Sequence, residues 1–327
     1  VNKIIKFFLS LIISFAGLYY AFRNVEFQEL LFHFKLVNFW YISVVLVLIV
    51  FSVAVRAERW QVLLEPIEVL PFTRLFSSTM IGYFGNGVLP FRLGEVLRAY
   101  SLSEETHISA TAVFGTVLLE RILDFAGLIV MIVLFSFFYP YNSWGGSIII
   151  PLILIVVGLI GFFIFFILSP VDLMEKIGRW KLFKIALFHR IFVLVKNLME
   201  GLTAIRQTRH VGQIIVHTIF LWIIYYVMVF FTVKATHLDL GPVGVGIVLV
   251  TTSLAVSIPA APGYIGTYHA TAVYILTNLF DASLSESQAF AVIIHAVGFI
   301  PLVIIGAFYF FHSSIHLKDV SGRHIAE

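Results

Sequence analysis

Apolar residues run along this chain in blocks long enough to cross a bilayer, with polar residues gathered mostly in the gaps between them. A transmembrane helix needs about 20 apolar residues. Blocks of that kind at about 4–22, 37–55, 108–139, 147–169, 211–233 and 286–312 predict six spans. Two further apolar stretches, about 73–104 and 243–280, are broken in the middle by Gly and Pro, so each half is too short to cross alone. Tyr19, Tyr20, Trp40, Tyr41, Tyr139 and Tyr141 sit near span ends, as interfacial anchors do. The connecting segments 25–35 and 190–206 alternate apolar and polar residues at helical spacing. They read equally as helices lying in the interface and as helices packed on the bundle ends.

Basic residues set the orientation. The stretch 170–210 holds Lys176, Arg179, Lys181, Lys184, Arg190, Lys196, Arg206 and Arg209, whereas 140–146 holds none. The positive-inside rule places 170–210 in the cytoplasm and 140–146 outside. Threading six spans through that constraint puts both termini in the cytoplasm, in agreement with Lys3, Lys6, Lys318 and Arg323. Each broken stretch must then return to the side it came from, as a re-entrant hairpin, the first entering from the cytoplasm and the second from outside. The order span, span, hairpin, span thus occurs twice in opposite orientation. Pro90-x-x-Leu93-Gly94 matches Pro262-x-x-Ile265-Gly266. Ser101-x-x-Glu104 matches Ser283-x-x-Glu286, each read as a capping box opening the next span. The expected architecture is an all-α integral membrane protein with one membrane domain over 1–327. Its inverted-repeat halves are 1–139 and 147–312, the second carrying the cytoplasmic basic loop 170–210.

Composition narrows the class. The chain is 60% hydrophobic and 12% charged, with mean hydropathy +1.02, about half the charge of an ordinary soluble domain. No segment has the length and mixed polarity of a soluble catalytic domain. The absence of cysteine excludes disulfides, iron–sulfur clusters and thiolate metal sites. A net charge of +3 is too small to imply nucleic acid. Lys3 and Lys6 precede an apolar run, but no small-x-small cleavage site follows, so an uncleaved first span is expected. The expected location is the cell's inner (cytoplasmic) membrane.

Against that background the charges in "GNGVLPFRLGEVLRAY" (85–100) demand a reason. A hairpin turned at Gly85-Asn86-Gly87 and Pro90 would start its returning half-helix deep in the membrane, positive dipole end inward. The same holds after Pro262-Gly263, and two such N-termini facing each other make an anion site. On a helix, Arg92, Glu95 and Arg98 at i, i+3 and i+6 share about a third of the circumference. Charge at that depth is costly and normally faces inward. Two readings stand together: a ligand-facing stripe, and a network in which Glu95 holds one arginine. "LLERILDFAGL" (118–128) adds Glu120 and Asp124 on one face, with Arg121 within reach of Asp124. These line the site or orient Arg92 or Arg98. "VRAERW" (55–60) reads as interfacial, with Arg56 and Arg59 snorkelling and Trp60 anchoring. His269 and His295 read as hydrogen-bonded packing residues rather than proton carriers. There is no HExxH, Walker A or nucleophile elbow, and Gly82-x-x-Gly85-x-Gly87 lacks the strand a dinucleotide fingerprint requires. No cofactor is expected.

"RAERWQVLL", "GYFGNGVLPFRLGEVLRAYSLSE", "LLERILDF" and "SIPAAPGYIGTYHA", in that order, resemble the lysylphosphatidylglycerol synthase transmembrane region, or flippase-like, family. The resemblance covers about residues 5–312. In the two-part enzymes of that family, this region moves aminoacylated phosphatidylglycerol between leaflets and a cytosolic domain makes it. Asn86, Pro90, Arg92, Glu95 and Arg98 match the first hairpin motif, Glu120, Arg121 and Asp124 the next span, and Pro262, Gly263, Gly266 and His269 the second hairpin. No synthase domain follows Glu327, so a stand-alone member is expected. The candidate substrate-binding set is these charged residues with Asn86, Gly263, Tyr268 and His269. The expected function is translocation of a phospholipid or polyprenyl-phosphate-type lipid bearing an anionic phosphate, without enzymatic chemistry. The alternatives are a partner subunit of a separately encoded synthase and a lipid-headgroup enzyme using His269 and Glu95. A homo-oligomer is the other partnership considered.

Because the chain has no cysteine, orientation is open to single-cysteine labelling. Asn142→Cys is expected to react with an impermeant maleimide on intact cells, and Lys184→Cys only after permeabilisation. The opposite pattern would reverse the orientation.

Overall fold

A computed structural model describes residues 3–90, 92–136, 208–257 and 261–313, together with Phe138, Leu154, Gly158 and Gly161. The span expected at 147–169, the basic loop and the 190–206 connector lie outside the described residues. Every regular element among those described is helical. In chain order these are α1 Lys3–Phe22, α2 Phe27–Leu36, α3 Phe39–Leu64, α4 Phe72–Val88, α5 Gly94–Glu104 and α6 Ala110–Ser136. There follow α7 Val211–Ala235, α8 Pro242–Ser257, a 3₁₀ turn at Pro262–Tyr264, α9 Thr267–Leu279 and α10 Leu284–Phe311.

Three helices are long and apolar enough to cross a bilayer: α3, α7 and α10. The protein is a multi-pass membrane protein. Helix α6 is 27 residues long, but Glu120, Arg121 and Asp124 stand in its middle. Local chemistry explains the ends. Asn38 caps α3 by accepting from the Trp40 amide at 3.0 Å. At α10 the expected capping box is present, Ser283 and Glu286 each satisfying the other's backbone amide. Its counterpart is not at Ser101. That residue lies inside α5, where its hydroxyl meets Ser78 at 3.3 Å. The α6 cap is Ser109, whose Oγ accepts from the Ala112 amide at 3.3 Å.

The first break also differs from expectation. Gly85, Asn86 and Gly87 do not turn the chain but continue α4 to Val88, and the break, with Pro90 in it as expected, lies between Val88 and the start of α5 at Gly94. Arg92 sits in that break with φ 58°, outside the helix that Glu95 and Arg98 share. The glycines serve close packing instead. A Cβ on Gly85 would lie 2.7 Å from the Gly94 Cα, and one on Gly82 would lie 2.9 Å from the Arg98 Cβ. Ser78 meets Ser101, Gly82 meets Arg98 and Gly85 meets Gly94, so α5 runs back antiparallel along α4. Likewise Gly244 of α8 meets Phe280, just beyond the end of α9. Helix α5, at 11 residues, is well short of a span. The second break is closed by α1, where Gly17 and Ser14 pack against the backbone of Gly266 (φ 100°) and the Ser14 hydroxyl accepts from the Ala261 amide at 2.9 Å.

Packing neighbours follow a regular scheme. Helix α3 packs on α7, α4 on α5 and α10, α5 on α6, and α3 on both α4 and α10. Exchanging α3 with α7, α4 with α8, α5 with α9 and α6 with α10 reproduces further pairs present in the fold: α8 on α9 and α6, α9 on α10, and α7 on both α8 and α6. No residue of α2 is fully buried, yet Glu29 accepts from the Ser285 hydroxyl at 2.7 Å, so the helix is fastened to α10. Tyr19 and Trp40 are exposed.

Gly85→Ala is expected to force α4 and α5 apart and cost about 1–3 kcal/mol, as overpacking does. Thermal unfolding in detergent measures it. Gly212→Ala, where a Cβ would meet nothing within 4 Å, is expected to leave the midpoint unchanged or raise it slightly.

Candidate functional site

The site begins with α3 running on through "VRAERWQVLL" to Leu64 with no glycine or proline to stop it. Arg56 and Arg59, three apart, therefore share one face of a helix at packing depth. Opposite them α6 presents Glu120 and Asp124, four apart. Arg56 donates to one Asp124 oxygen at 2.9 Å and Arg59 to the other at 2.7 Å. Arg59 also reaches Glu120 Oε1 at 3.3 Å, while Arg98 from α5 meets Glu120 Oε2 at 2.6 Å. Helix α7 completes the shell. Arg59 donates to Thr218 at 3.1 Å and Arg56 to the Tyr225 hydroxyl at 2.9 Å.

Trp60 fixes Arg98 from the other side. The guanidinium lies 3.7 Å from the centre of the Trp60 ring, a cation–π contact, and the indole N–H donates to Thr116 at 2.9 Å. Arg59, Trp60 and Glu120 are wholly buried and Arg98 is 2% exposed. Arg56, Arg59 and Trp60 are thus not interfacial snorkels and anchor. The carboxylates of α6 draw the arginines inward, because an ionised acid in an apolar interior needs a charged partner.

A second layer faces open space. Arg92 meets Glu95 at 3.4 Å, Arg121 meets the same Glu95 oxygen at 3.7 Å, and Arg121 meets Asp124 at 3.3 Å. These four side chains are 15–23% exposed, and they border a cavity of about 310 Å³. Asn86, Arg56 and Arg98 also line it, as do Tyr83, Tyr225, Tyr264, Tyr268 and His295. Its remaining walls are apolar, among them Val45, Ile49, Met228, Val229, Leu249 and Leu302. The two chain breaks meet here, with the Arg92 guanidinium 5.9 Å from the centre of the Tyr264 ring.

The electrostatics are one-sided. Five arginines (Arg56, Arg59, Arg92, Arg98 and Arg121) meet three carboxylates (Glu95, Glu120 and Asp124), a formal excess of two positive charges. Arginine does not deprotonate in proteins, so the excess is permanent. Several guanidinium donors make no hydrogen bond within the protein: Nε of Arg92, and Nε and Nη2 of Arg98, while Nε of Arg121 reaches only the Glu95 carboxylate, at 3.7 Å. The Asn86 side-chain oxygen is likewise buried and unpartnered. Among the described residues no group of three or more His, Asp or Glu side chains could hold a metal ion.

The family described as "Lysylphosphatidylglycerol synthase TM region" matches residues 7–306. The chain belongs to this family. It is similar to the UPF0104 membrane protein MJ1078 of Methanocaldococcus jannaschii, with 25% identity over 241 residues, which cover 70% of this chain and 93% of that protein. No solved structure matches.

Of the residues singled out from sequence in this lysylphosphatidylglycerol synthase TM-region protein, Asn86, Arg92, Glu95, Arg98, Arg121, Asp124 and Tyr268 line one cavity. Glu120 lies behind it as the counter-ion of Arg59 and Arg98. Gly263 forms the second break with φ 73°, and its carbonyl accepts from His295. His269 is buried behind His295, their ring centres 4.6 Å apart. Sequence reasoning missed Arg56 and Arg59. The available signal was a three-residue spacing that complements Glu120 and Asp124, on a helix with nothing to end it.

Glu120→Gln would leave Arg59 and Arg98 without their shared counter-ion. It is expected to cost about 3–5 kcal/mol, as breaking a buried pair does, seen as a large fall in the detergent melting temperature. A variant as stable as wild type would show that the network does not hold the fold.

Proposed function

We propose that this protein moves a lipid with an anionic, phosphate-bearing headgroup between the leaflets of the membrane. The observation that carries the reading is the cavity's permanent charge excess, joined to apolar walls. A phosphate oxygen accepts only, and the spare Arg92, Arg98 and Arg121 N–H groups supply donors suited to it. The apolar walls suit the start of an acyl or prenyl chain. The family's name, which refers to a lipid-making enzyme, agrees with a lipid substrate.

In this reading α4–α5 and α8–α9 are re-entrant hairpins of an inverted repeat in the cell's inner (cytoplasmic) membrane, with both termini on the cytoplasmic side. Support comes from the antiparallel course of α5 along α4, the short α5 and the exchange symmetry of helix neighbours. Two hairpins entering from opposite faces and meeting at Arg92 and Tyr264 give each face its own gate. Irregular backbone is tolerated at that depth because it borders a polar cavity. The protein moves its lipid without altering it, and the 327 residues carry no nucleotide-binding motif to drive the step.

Purified protein in liposomes is expected to move at least one of phosphatidylglycerol, aminoacyl-phosphatidylglycerol, cardiolipin and polyprenyl phosphate without ATP. Dithionite quenching of labelled lipid or headgroup-specific extraction reads the rate. Arg92→Ala and Arg121→Ala are each expected to slow movement about tenfold or more, the worth of one charged hydrogen bond at roughly 1.5–3 kcal/mol. No movement of any of these lipids by folded protein would overturn the reading and favour a partner-subunit role.

A further inference from the structure

The arginine network occupies one side of the cavity. Across from it, at the second chain break, the structure places a pair of histidines, His269 on α9 and His295 on α10, with ring centres 4.6 Å apart. His295 donates from Nε2 to the Gly263 carbonyl at 2.7 Å. A carbonyl only accepts, so that nitrogen carries the hydrogen and Nδ1 is the bare acceptor of the neutral ring. His295 lines the cavity, and among the described residues its Nδ1 has no partner. His269 is buried, and its own Nδ1 is also unpartnered. A histidine kept for packing alone would be expected to use both ring nitrogens when buried.

The surroundings do not neutralise a proton on this pair. Tyr268 and Phe299 stack near His295, both at 5.3 Å, and Phe22 of α1 lies 5.9 Å from His269. The titratable and charged groups that line the cavity with His295 are Tyr83 of α4, Tyr225 of α7, Tyr264, Tyr268, Arg56, Arg92, Arg98 and Arg121, and the carboxylates Glu95 and Asp124, both of which are engaged with arginines. Helix α8 carries no titratable side chain, α1 presents only Tyr19 and Tyr20 among its described side chains, and Glu29 of α2 is engaged with Ser285 near the start of α10. Among the described residues, histidine ion pairs occur elsewhere, at His210–Glu65 and His217–Glu58. No carboxylate pairs with His269 or His295.

Position adds an independent argument. The N-cap serines of α6 and α10 are Ser109 and Ser283. Arg121 and His295 lie the same number of residues beyond their respective caps, and both line the cavity. Where one half of the fold places a permanent cation, the other places a group that becomes a cation only on protonation.

We propose that the His269–His295 pair is a proton-binding site that takes up one proton together with the anionic headgroup, making this a proton-coupled anion site. The inference rests on the lipid-anion reading given above. Protonating His295 at Nδ1 keeps the bond to Gly263 and adds a donor and a positive charge to the cavity. The second ring, 4.6 Å away, is then held neutral by like-charge repulsion. Proton and anion binding favour each other by thermodynamic reciprocity. Affinity for the anion is therefore highest at low pH and declines as pH rises through the histidine range, near 6.5 for a free ring. The proton travels in the same direction as the lipid.

The test is calorimetry of short-chain phosphatidylglycerol binding to the purified protein at pH 5.5 and 8.0. This phosphodiester keeps its charge across that range, so any pH dependence belongs to the protein. Binding is expected to be about tenfold tighter at pH 5.5, as for a linked shift of about one pKa unit. Titrations at intermediate pH in buffers of different ionisation enthalpy are expected to show net proton uptake, a readout that needs no variant. His295→Gln, which can still donate to Gly263, is expected to bind with one affinity at both pH values and without proton uptake. Wild-type binding that is independent of pH, or an undiminished pH dependence in His295→Gln, would overturn the proton site and leave the lipid-anion reading standing. Absence of phosphatidylglycerol binding at both pH values would overturn the anion site and the proton site with it.

Discussion

Two carboxylates of α6, Glu120, wholly buried, and Asp124, at the edge of the cavity, set the terms for the rest of the molecule. An ionised acid in the middle of a membrane helix is tolerable only with charged partners at hydrogen-bond distance. Glu120 and Asp124 take theirs from α3, α5 and α6, through Arg56, Arg59, Arg98 and Arg121. That demand explains features that look unrelated along the chain. Helix α3 extends to Leu64 so that its arginines reach α6. Gly82, Gly85 and Gly94 let α5 lie against α4 closely enough to deliver Arg98. Trp60 covers the Arg98 guanidinium where no acid does.

The network divides by depth. Arg59 and Glu120 are spent on each other, on Thr218 and on Nη1 of Arg98, whose Nε and Nη2 keep no acceptor, and they tie α3, α5, α6 and α7 together. Arg92, Glu95 and Arg121 make longer contacts with one another and, with Asp124, retain exposure to the cavity, while Asp124 joins the two layers through its short contacts to Arg56 and Arg59. The second layer is balanced, two arginines against two carboxylates, so the surplus of two positive charges comes from Arg56, Arg59 and Arg98, which share the single carboxylate of Glu120 behind it. Buried pairing and exposure to the cavity are thus layers of one assembly.

The two halves share packing and differ in chemistry. Each has a helix, a close antiparallel partner and a break bordering the same cavity, yet the first break presents Arg92 and the second presents Tyr264 and the Gly263 carbonyl held by His295. A symmetric scaffold with unequal contents has one strongly cationic wall and one aromatic wall. An amphipathic molecule can orient in such a space, its charged end toward the arginines.

By itself the sequence determined the membrane class, the positions of α3, α6, α7 and α10, the two interrupted stretches, the Ser283 capping box and most of the charged residues of the site. Those follow from hydrophobic block length, cap chemistry and the cost of charge in lipid, all of which are local. Tertiary structure alone decided how the charges are shared. Arg56 and Arg59 look like interfacial residues in a window that ends at Val55, because snorkelling and buried pairing use the same side chain. Only the position of α6 decides between them. Gly85 and Gly87 read as a turn because glycine permits one, yet a glycine stripe on a helix also permits a close neighbour, and α5 and α10 occupy that space. Likewise Ser101 and Ser109 both carry capping chemistry, and the choice fell to the one from which α6 could bring Glu120 level with Arg98.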